Sequence, residues 1–453
     1  MTKLTSHIGL RMATVLVVSV IVGSGVFKKI APMSAELGSP ILVILCWVLA
    51  GLISLAGALS NAEMASMYPD SGGEFIYYQK VYGRFFAFLY GWGNFTVMKS
   101  AAIAALAYIF AESFNSLFPL PIFSTSFPVF ENASVKLLAS FLIAFLSFIN
   151  FRGVQFAERL SSLFTYLTIS AIVLFIVLGL SSSVGSFENL ITPSTTFDQS
   201  KLEGWGVFKL ITLASLGAFW GYEGWNHIGY LGEEVKNPER NLPLALGFGT
   251  SIVILLYVSL NIVFAKVLPI DTFIALNQNT NKIAAVEVAN ALFGNIGGIL
   301  LACLILCTTF TSTNSSILMS ARIYYAMARD GLFFKRAAKV HPTYKTPSVA
   351  LAWQALWSVA LIWSGSFDQL TDMLIFASFI FYGSTALAVI ILRIKQPAVP
   401  RKYRVWGYPF VPALFVLFCI ALVIVTIINQ PKEALWGLGL IATGIPFYWV
   451  WKK

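Results

Sequence analysis

The sequence predicts an all-α polytopic membrane protein of twelve transmembrane helices, and three observations carry that expectation. Of its 453 residues, 58% are hydrophobic and only 11% are charged, against roughly a quarter charged in an ordinary soluble domain. Apolar runs recur along the whole chain, each near the about 20 residues a helix needs to cross a bilayer core. Lys and Arg gather in alternate connections, as the orientation rule for membrane helices requires. A water-soluble fold is excluded, and barrel strands would alternate and be far shorter.

Taken in order, the runs lie at 8–37, 40–67, 85–114, 134–150, 155–182, 205–231, 243–268, 294–322, 347–364, 369–393, 408–429 and 433–450. The first begins close to the initiator Met and lacks a small-residue cleavage site, so it is expected to be a retained helix and not a signal peptide. With the amino terminus inside, 21 Lys and Arg fall on the cytoplasmic side and 8 on the other, while Lys99 falls inside a helix. Both termini are therefore expected in the cytoplasm. The same asymmetry accounts for the net charge of +10 without a nucleic-acid partner. Cys46, Cys303, Cys307 and Cys419 all sit in apolar runs and read as buried thiols. His7, His227 and His341 are too far apart in sequence to suggest a metal centre or a cofactor site.

Two runs carry glycine interruptions. In the first, Gly23-Ser24-Gly25-Val26-Phe27 spaces its glycines two apart, whereas close helix packing through GxxxG needs four. In the sixth, Gly221-Tyr222-Glu223-Gly224 spaces them three apart, again not four, although Gly217 and Gly221 are spaced to pack a neighbour. Runs one and six correspond if the first ten form two repeats of five, and matched interruptions point to a transporter's binding site. Unwinding at membrane depth strands backbone NH and CO groups, at several kcal/mol each unless a ligand or water satisfies them. Amides following Ser24 suit a carboxylate, and carbonyls near Ile21 and Phe219 suit an ammonium. Together these are the two ends of an amino acid. Lys99 and Glu223 are the two charges expected near the middle of a span; they either neutralise one another or one handles substrate or protons.

Six strings then show a resemblance: GSGVF from Gly23, PDSGGEF from Pro69, WGYEGWN from Trp220, EEVKNPERNLP from Glu233, ARIYYAMARDGLF from Ala321 and PRKYRVWGYP from Pro400. Over nearly its whole length the chain resembles the amino acid-polyamine-organocation superfamily, and within it the L-amino acid transporter family, bacterial relatives of heteromeric transporter light subunits. The resemblance implies a LeuT-type 5+5 inverted repeat with helices 1 and 6 unwound. The first repeat would span 1–182 and the second 205–393, with helices 11 and 12 and a short tail in 408–453. It further implies a substrate site of Ile21, Gly23, Ser24, Gly25, Val26, Phe219, Trp220, Gly221 and Glu223. Trp220 falls where the family carries a gating aromatic, and Glu223 where some members carry an acidic residue associated with cationic substrates.

Two departures from the family's pattern concern coupling. Thr168 stands where many relatives place a lysine that substitutes for sodium, and Lys99 stands where neutral residues or Arg are usual. The eighth run is rich in hydroxyls, among them Thr309, Ser312 and Thr313, and oxygen ligands suit a hard cation, although membrane hydroxyls also bond helix to helix. A coupling site of Thr168, Thr309, Ser312, Thr313 and Lys99 for Na+ or H+ is therefore an expectation, with no other cofactor. Ser116 to Lys136 contains no Cys, so no disulfide-linked heavy subunit is expected. The expected function is secondary transport of neutral L-amino acids across a bacterial cytoplasmic membrane, by exchange or ion symport, with a cationic transporter using Glu223 as the alternative. A channel would need a visible filter or charged ring, and an electron-transfer subunit paired histidines; neither is present in the sequence.

Overall fold

The structure is a computed structural model that describes residues 6–121, 132–278, 282–364 and 367–452. Helix α1 (Leu10–Ile21) is followed by a bend and by α2 (Gly25–Lys28) and α3 (Ile30–Leu37). Gly38, at φ +57°, ends α3, and Pro40 opens α4 (Pro40–Met67). The glycines of the Pro69–Phe75 string, Gly72 and Gly73, both take positive φ and turn the chain into α5 (Glu74–Val81). Helix α6 (Arg84–Gly93) runs through a π turn, Asn94–Met98, into α7 (Lys99–Leu117).

Next come α8 (Ala133–Arg152), α9 (Val154–Ser181), α10 (Trp205–Tyr222), α11 (Pro238–Val267) and the short α12 (Ile270–Asn277). Helix α13 (Ala284–Arg329) bends at Gly294, whose φ is +67°. The chain closes with α14 (Ser348–Ser364), α15 (Phe367–Lys395), α16 (Phe410–Asn429), α17 (Pro431–Ala442) and α18 (Gly444–Trp451). Among the described residues no strand occurs, and Ile8 and Val235 form one of two isolated bridges.

Among the described residues, ten stretches are long and apolar enough to cross a membrane, counting α1 with α2, α6 with α7, and α17 with α18 as single spans. The two remaining expected spans are α10, of 18 residues with an exposed Lys209, and α14, of 17. Outward faces are apolar, with Phe141, Leu163, Ile296 and Phe410 all exposed, as lipid contact requires. The chain is an integral membrane protein.

Packing follows a repeated pattern. α1 lies against α11 as α10 lies against α4; α7 lies against α14 and α15 as α13 lies against α8 and α9. α4 also meets α15 as α11 meets α9.

Three expectations are corrected here. The eighth run, expected at 294–322, starts at the Gly294 bend as expected, but its helix continues past 322 to Arg329. Its polar residues face other helices and so do not end it. Lys99 and Glu223 are not the only charges in the interior, because Glu63, Glu74, Glu234, Lys266 and Arg322 are buried as well. Most of these sit at or beyond the expected ends of apolar runs, where sequence alone suggests solvent; Arg322 instead lies bidentate on Glu234. Cys303 is exposed and Cys307 half-buried, since hydropathy does not distinguish a lipid-facing thiol from a core one.

Candidate substrate site

Helix α1 stops because the chain folds back on itself. The Gly23 amide donates to the Ile21 carbonyl at 2.8 Å, and Val22 stands at φ −73°, ψ 84°. Helical bonding resumes when the amides of Phe27 and Lys28 both reach the Ser24 carbonyl, each at 3.2 Å. The amides of Ser24, Gly25 and Val26 thus stand ahead of the first hydrogen-bonded turn. α10 ends in a related way: the Glu223 amide turns to the Trp220 carbonyl at 3.3 Å, one residue short of Phe219, its α-helical acceptor. Glu223 is extended (ψ 142°), Gly224 has φ +109°, and 3-10 turns follow at Trp225–Tyr230 and Gly232–Glu234.

The two breaks meet. A Cβ on Gly25 would lie 2.9 Å from the Gly221 nitrogen and nearer still to its Cα, and one on Gly221 would lie 2.6 Å from the Trp47 ring. A Cβ on Gly23 would crowd Leu106 and Ser312, at 3.1 and 3.3 Å. No side chain larger than hydrogen fits at Gly25 without moving backbone.

Between the breaks is a cavity lined by Ile21, Gly23, Ser24, Gly25, Trp220 and Glu223, together with Val20, Ala102, Leu106, Gly224, His227 and Ser316. The space open to the centre of a water molecule is only ≈ 20 Å³, enough for a single water, so the bundle is closed around its site. Ser24 Oγ and both ring nitrogens of His227 are buried and have no hydrogen-bond partner among the described residues. Such groups are costly unless something binds them. Of the other predicted residues, Val26 is fully buried beside the break, and Phe219 packs edge-on to Phe379 at 4.7 Å, away from the lining. The Ile21 carbonyl also accepts from the Tyr257 hydroxyl at 2.8 Å, so it is already shared. A larger groove, ≈ 830 Å³, opens on the outer surface between apolar Leu59, Leu244 and Phe248 and charged Glu239, Arg240 and Lys402, and it holds none of the residues above.

Glu223 sits at the inner wall. Lys99 Nζ lies 2.8 Å from its Oε1, and the Tyr382 hydroxyl donates to Oε2 at 2.9 Å. The π turn before α7 rotates the following helix relative to α6, and Lys99 is its first residue; such bulges recur at functional sites. Behind Tyr382 the bonding continues through Asn226 to Glu74.

The coupling candidates are engaged in different ways. Thr309 and Thr313 donate to carbonyls of their own helix, Ile305 and Thr309, at 2.7 and 2.6 Å. Ser312 instead crosses to α1 and donates to the Ser19 and Val22 carbonyls at 3.0 and 2.8 Å. Thr168 is buried on α9 with its hydroxyl unpartnered among the described residues, and Lys99 is engaged with Glu223. Among the described residues no His, Cys, Asp and Glu cluster could hold a metal ion.

Sequence reading missed His227 in the cavity lining and three buried polar residues behind it, Asn226, Tyr382 and Glu74. Asn226, His227 and Glu74 lie in or directly beside strings already singled out, where a polar residue flanked by apolar ones was the available signal. Tyr382 had none, since its partners are more than 150 residues away.

Comparison with known proteins adds the following. The family described as Amino acid permease matches residues 8–450. The chain is 31% identical to the serine/threonine exchanger SteT of Bacillus subtilis (strain 168), over 99% of this chain and 98% of that protein. It is 29% identical to the large neutral amino acids transporter small subunit 2 of Oryctolagus cuniculus, over 99% and 80% of the two chains. With the b(0,+)-type amino acid transporter 1 of Mus musculus it shares 27%, over 99% and 88%.

Proposed function

Because this chain belongs to the amino acid permease family, we propose that it carries neutral L-amino acids across the membrane by alternating access, as an exchanger or an ion-coupled symporter. The observation that carries this reading is the meeting of two helix breaks around a closed cavity, with the amides at Ser24, Gly25 and Val26 at one end. Those amides take the substrate carboxylate. The carbonyls at Ile21 and Phe219 or Trp220 take its ammonium, and Trp220 closes over it as a gate. Substrate entry requires the breaks to part, because the closed cavity holds about one water.

Neutral substrates are favoured because Glu223 is neutralised by Lys99, leaving no net charge to read a basic side chain. The exchanger and neutral-transporter relatives fit that choice. A LeuT-type 5+5 inverted repeat, 1–182 and 205–393 with 408–453 outside it, is supported by the packing: each contact named above recurs with both partners moved on by five spans. The excess of Lys and Arg in alternate connections supports cytoplasmic termini in a bacterial inner membrane. The absence of Cys from Ser116 to Lys136 supports a chain that works without a disulfide-linked subunit, although 122–131 lie outside the described residues.

Counterflow in proteoliposomes tests the reading. Radiolabelled serine, alanine or leucine should enter vesicles loaded with unlabelled neutral amino acid, and arginine and lysine should neither enter nor compete. Entry of arginine alone would favour the cationic reading, and no entry at all would overturn the assignment.

A further inference from the structure

Behind the cavity lies a second buried carboxylate for which the proposed transport supplies no role. Glu74, the first residue of α5, is fully buried and is not part of the cavity lining. Its Oε1 accepts from Asn61 Nδ2 at 2.8 Å and from Asn226 Nδ2 at 2.6 Å, and its Oε2 accepts from the Tyr90 hydroxyl at 3.2 Å. The titratable groups facing it are Tyr77 and Tyr78 of its own helix, Tyr90 of α6, Lys99 of α7, Tyr230 of the 3-10 turn and Tyr382 of α15. Arg322 of α13 is committed to Glu234.

Lys99 is thus the cation that serves this region, and it already sits on Glu223. One ammonium facing two buried carboxylates leaves a negative charge uncompensated, and a low-dielectric interior favours neutralising it with a proton. The hydrogen bonds around Glu74 rearrange between its two states. Tyr90 oxygen is 3.2 Å from Glu74 Oε2 and 3.0 Å from the Tyr230 hydroxyl. It donates to an ionised Glu74; when Glu74 carries a proton, it accepts that proton's hydrogen bond and donates to Tyr230. In the first state Tyr230 donates to Tyr90 and every proton has an acceptor; in the second the Tyr230 proton is displaced and must turn away from Tyr90. On the other side, Asn226 Oδ1 is 3.3 Å from the Tyr382 hydroxyl, which is 2.9 Å from Glu223 Oε2. The one proton of that hydroxyl goes to Glu223 or to Asn226, so Tyr382 is a switch point between the cavity wall and the Asn226–Glu74 pair.

We propose that Glu74 is a proton site of the transport cycle, taking a proton from water on one side of the membrane and returning it on the other. Only an O–H bond forms and breaks, and no electrons move. Asn226, Tyr382 and Glu223 couple its charge state to the substrate cavity: an amino acid arriving beside Glu223 changes the balance around Lys99 and so the proton affinity of Glu74. This rests on the transport reading above and names its coupling ion.

The test uses the full chain in proteoliposomes, with counterflow of labelled neutral amino acid at symmetric pH set beside uptake driven by a pH gradient. An acid exterior should raise wild-type accumulation, by up to about tenfold per pH unit if one proton accompanies each amino acid, and a protonophore should remove the gain. Glu74→Gln should keep counterflow and lose the response to the gradient. In purified protein, the infrared stretch of a protonated carboxyl should be present in wild type and absent from Glu74→Gln. Should that variant fail to fold, Tyr90→Phe, which removes the switching hydroxyl, should shift the pH profile of counterflow. Wild-type protein without counterflow would overturn the transport reading itself. Counterflow with no gradient response, a Glu74→Gln variant that still responds, a missing carboxyl band or an unmoved Tyr90→Phe profile would overturn the proton site alone.

Discussion

A side chain on Gly25 would lie 2.9 Å from the Gly221 nitrogen, so the start of α2 and the end of α10 touch backbone to backbone. That contact brings the loose amides of one break beside the last turn of the other helix. It also makes Gly25 the most sensitive position in the site, because its neighbour is backbone and not a side chain that can rotate away.

Gly25→Ala should abolish amino acid binding while leaving the amount of folded protein in the membrane near wild type. A Cβ here overlaps the Gly221 backbone, so the breaks must part by roughly an ångström to reach ordinary contact, and packed interiors respond to smaller changes than that. Binding by calorimetry, with size-exclusion profiles as the folding control, checks it. Unchanged affinity would remove the break from the site.

The ion pair of Lys99 and Glu223, at 2.8 Å and almost fully buried, yields a double-variant prediction. Glu223→Gln strands the ammonium, and breaking a buried pair typically costs about 3 to 5 kcal/mol. The single variant should therefore lose thermal stability, and adding Lys99→Met should restore much of it. If Glu223→Gln instead folds normally and selectively loses arginine in a competition panel, Glu223 reads the substrate.

How much of this was legible in the sequence varies from residue to residue. The helix breaks were visible, because Gly23 and Gly25, and Gly221 and Gly224, are spaced wrongly for packing. Lys99 and Glu223 stood out because charge is rare inside apolar runs. Glu74 and Arg322 did not stand out, since one sits between apolar runs and the other at the end of one, where solvent is the default expectation and only the third dimension shows a buried partner. Tyr382 was invisible for a different reason: a tyrosine in an apolar helix carries no signal until its contacts 156 and 159 residues away are known.

Trp220 lines the cavity and a Cβ on Gly25 would lie 3.3 Å from its ring. If it closes over the substrate, Trp220→Ala should reduce the rate of transport more than equilibrium binding, because closure governs the conformational step. Equal losses would make it a pocket wall.

Thr168, with its unpartnered hydroxyl, and Ser312, which bridges to the Ser19 and Val22 carbonyls, set the sodium prediction. If they hold a cation, sodium tightens substrate binding and substrate tightens sodium binding by the same factor. Equal affinity in sodium and choline buffers would leave exchange or proton coupling.

The measurement that bears most directly on the central claim is competition against counterflow of labelled L-alanine in proteoliposomes by unlabelled L-alanine, ethylamine and propionate. A site that holds a carboxylate on the amides after Ser24 and an ammonium on the opposing carbonyls needs both ends of the molecule. L-Alanine should therefore compete fully, and the two half-molecules should not compete at equal concentration. Competition by propionate or ethylamine as strong as by alanine would contradict the account.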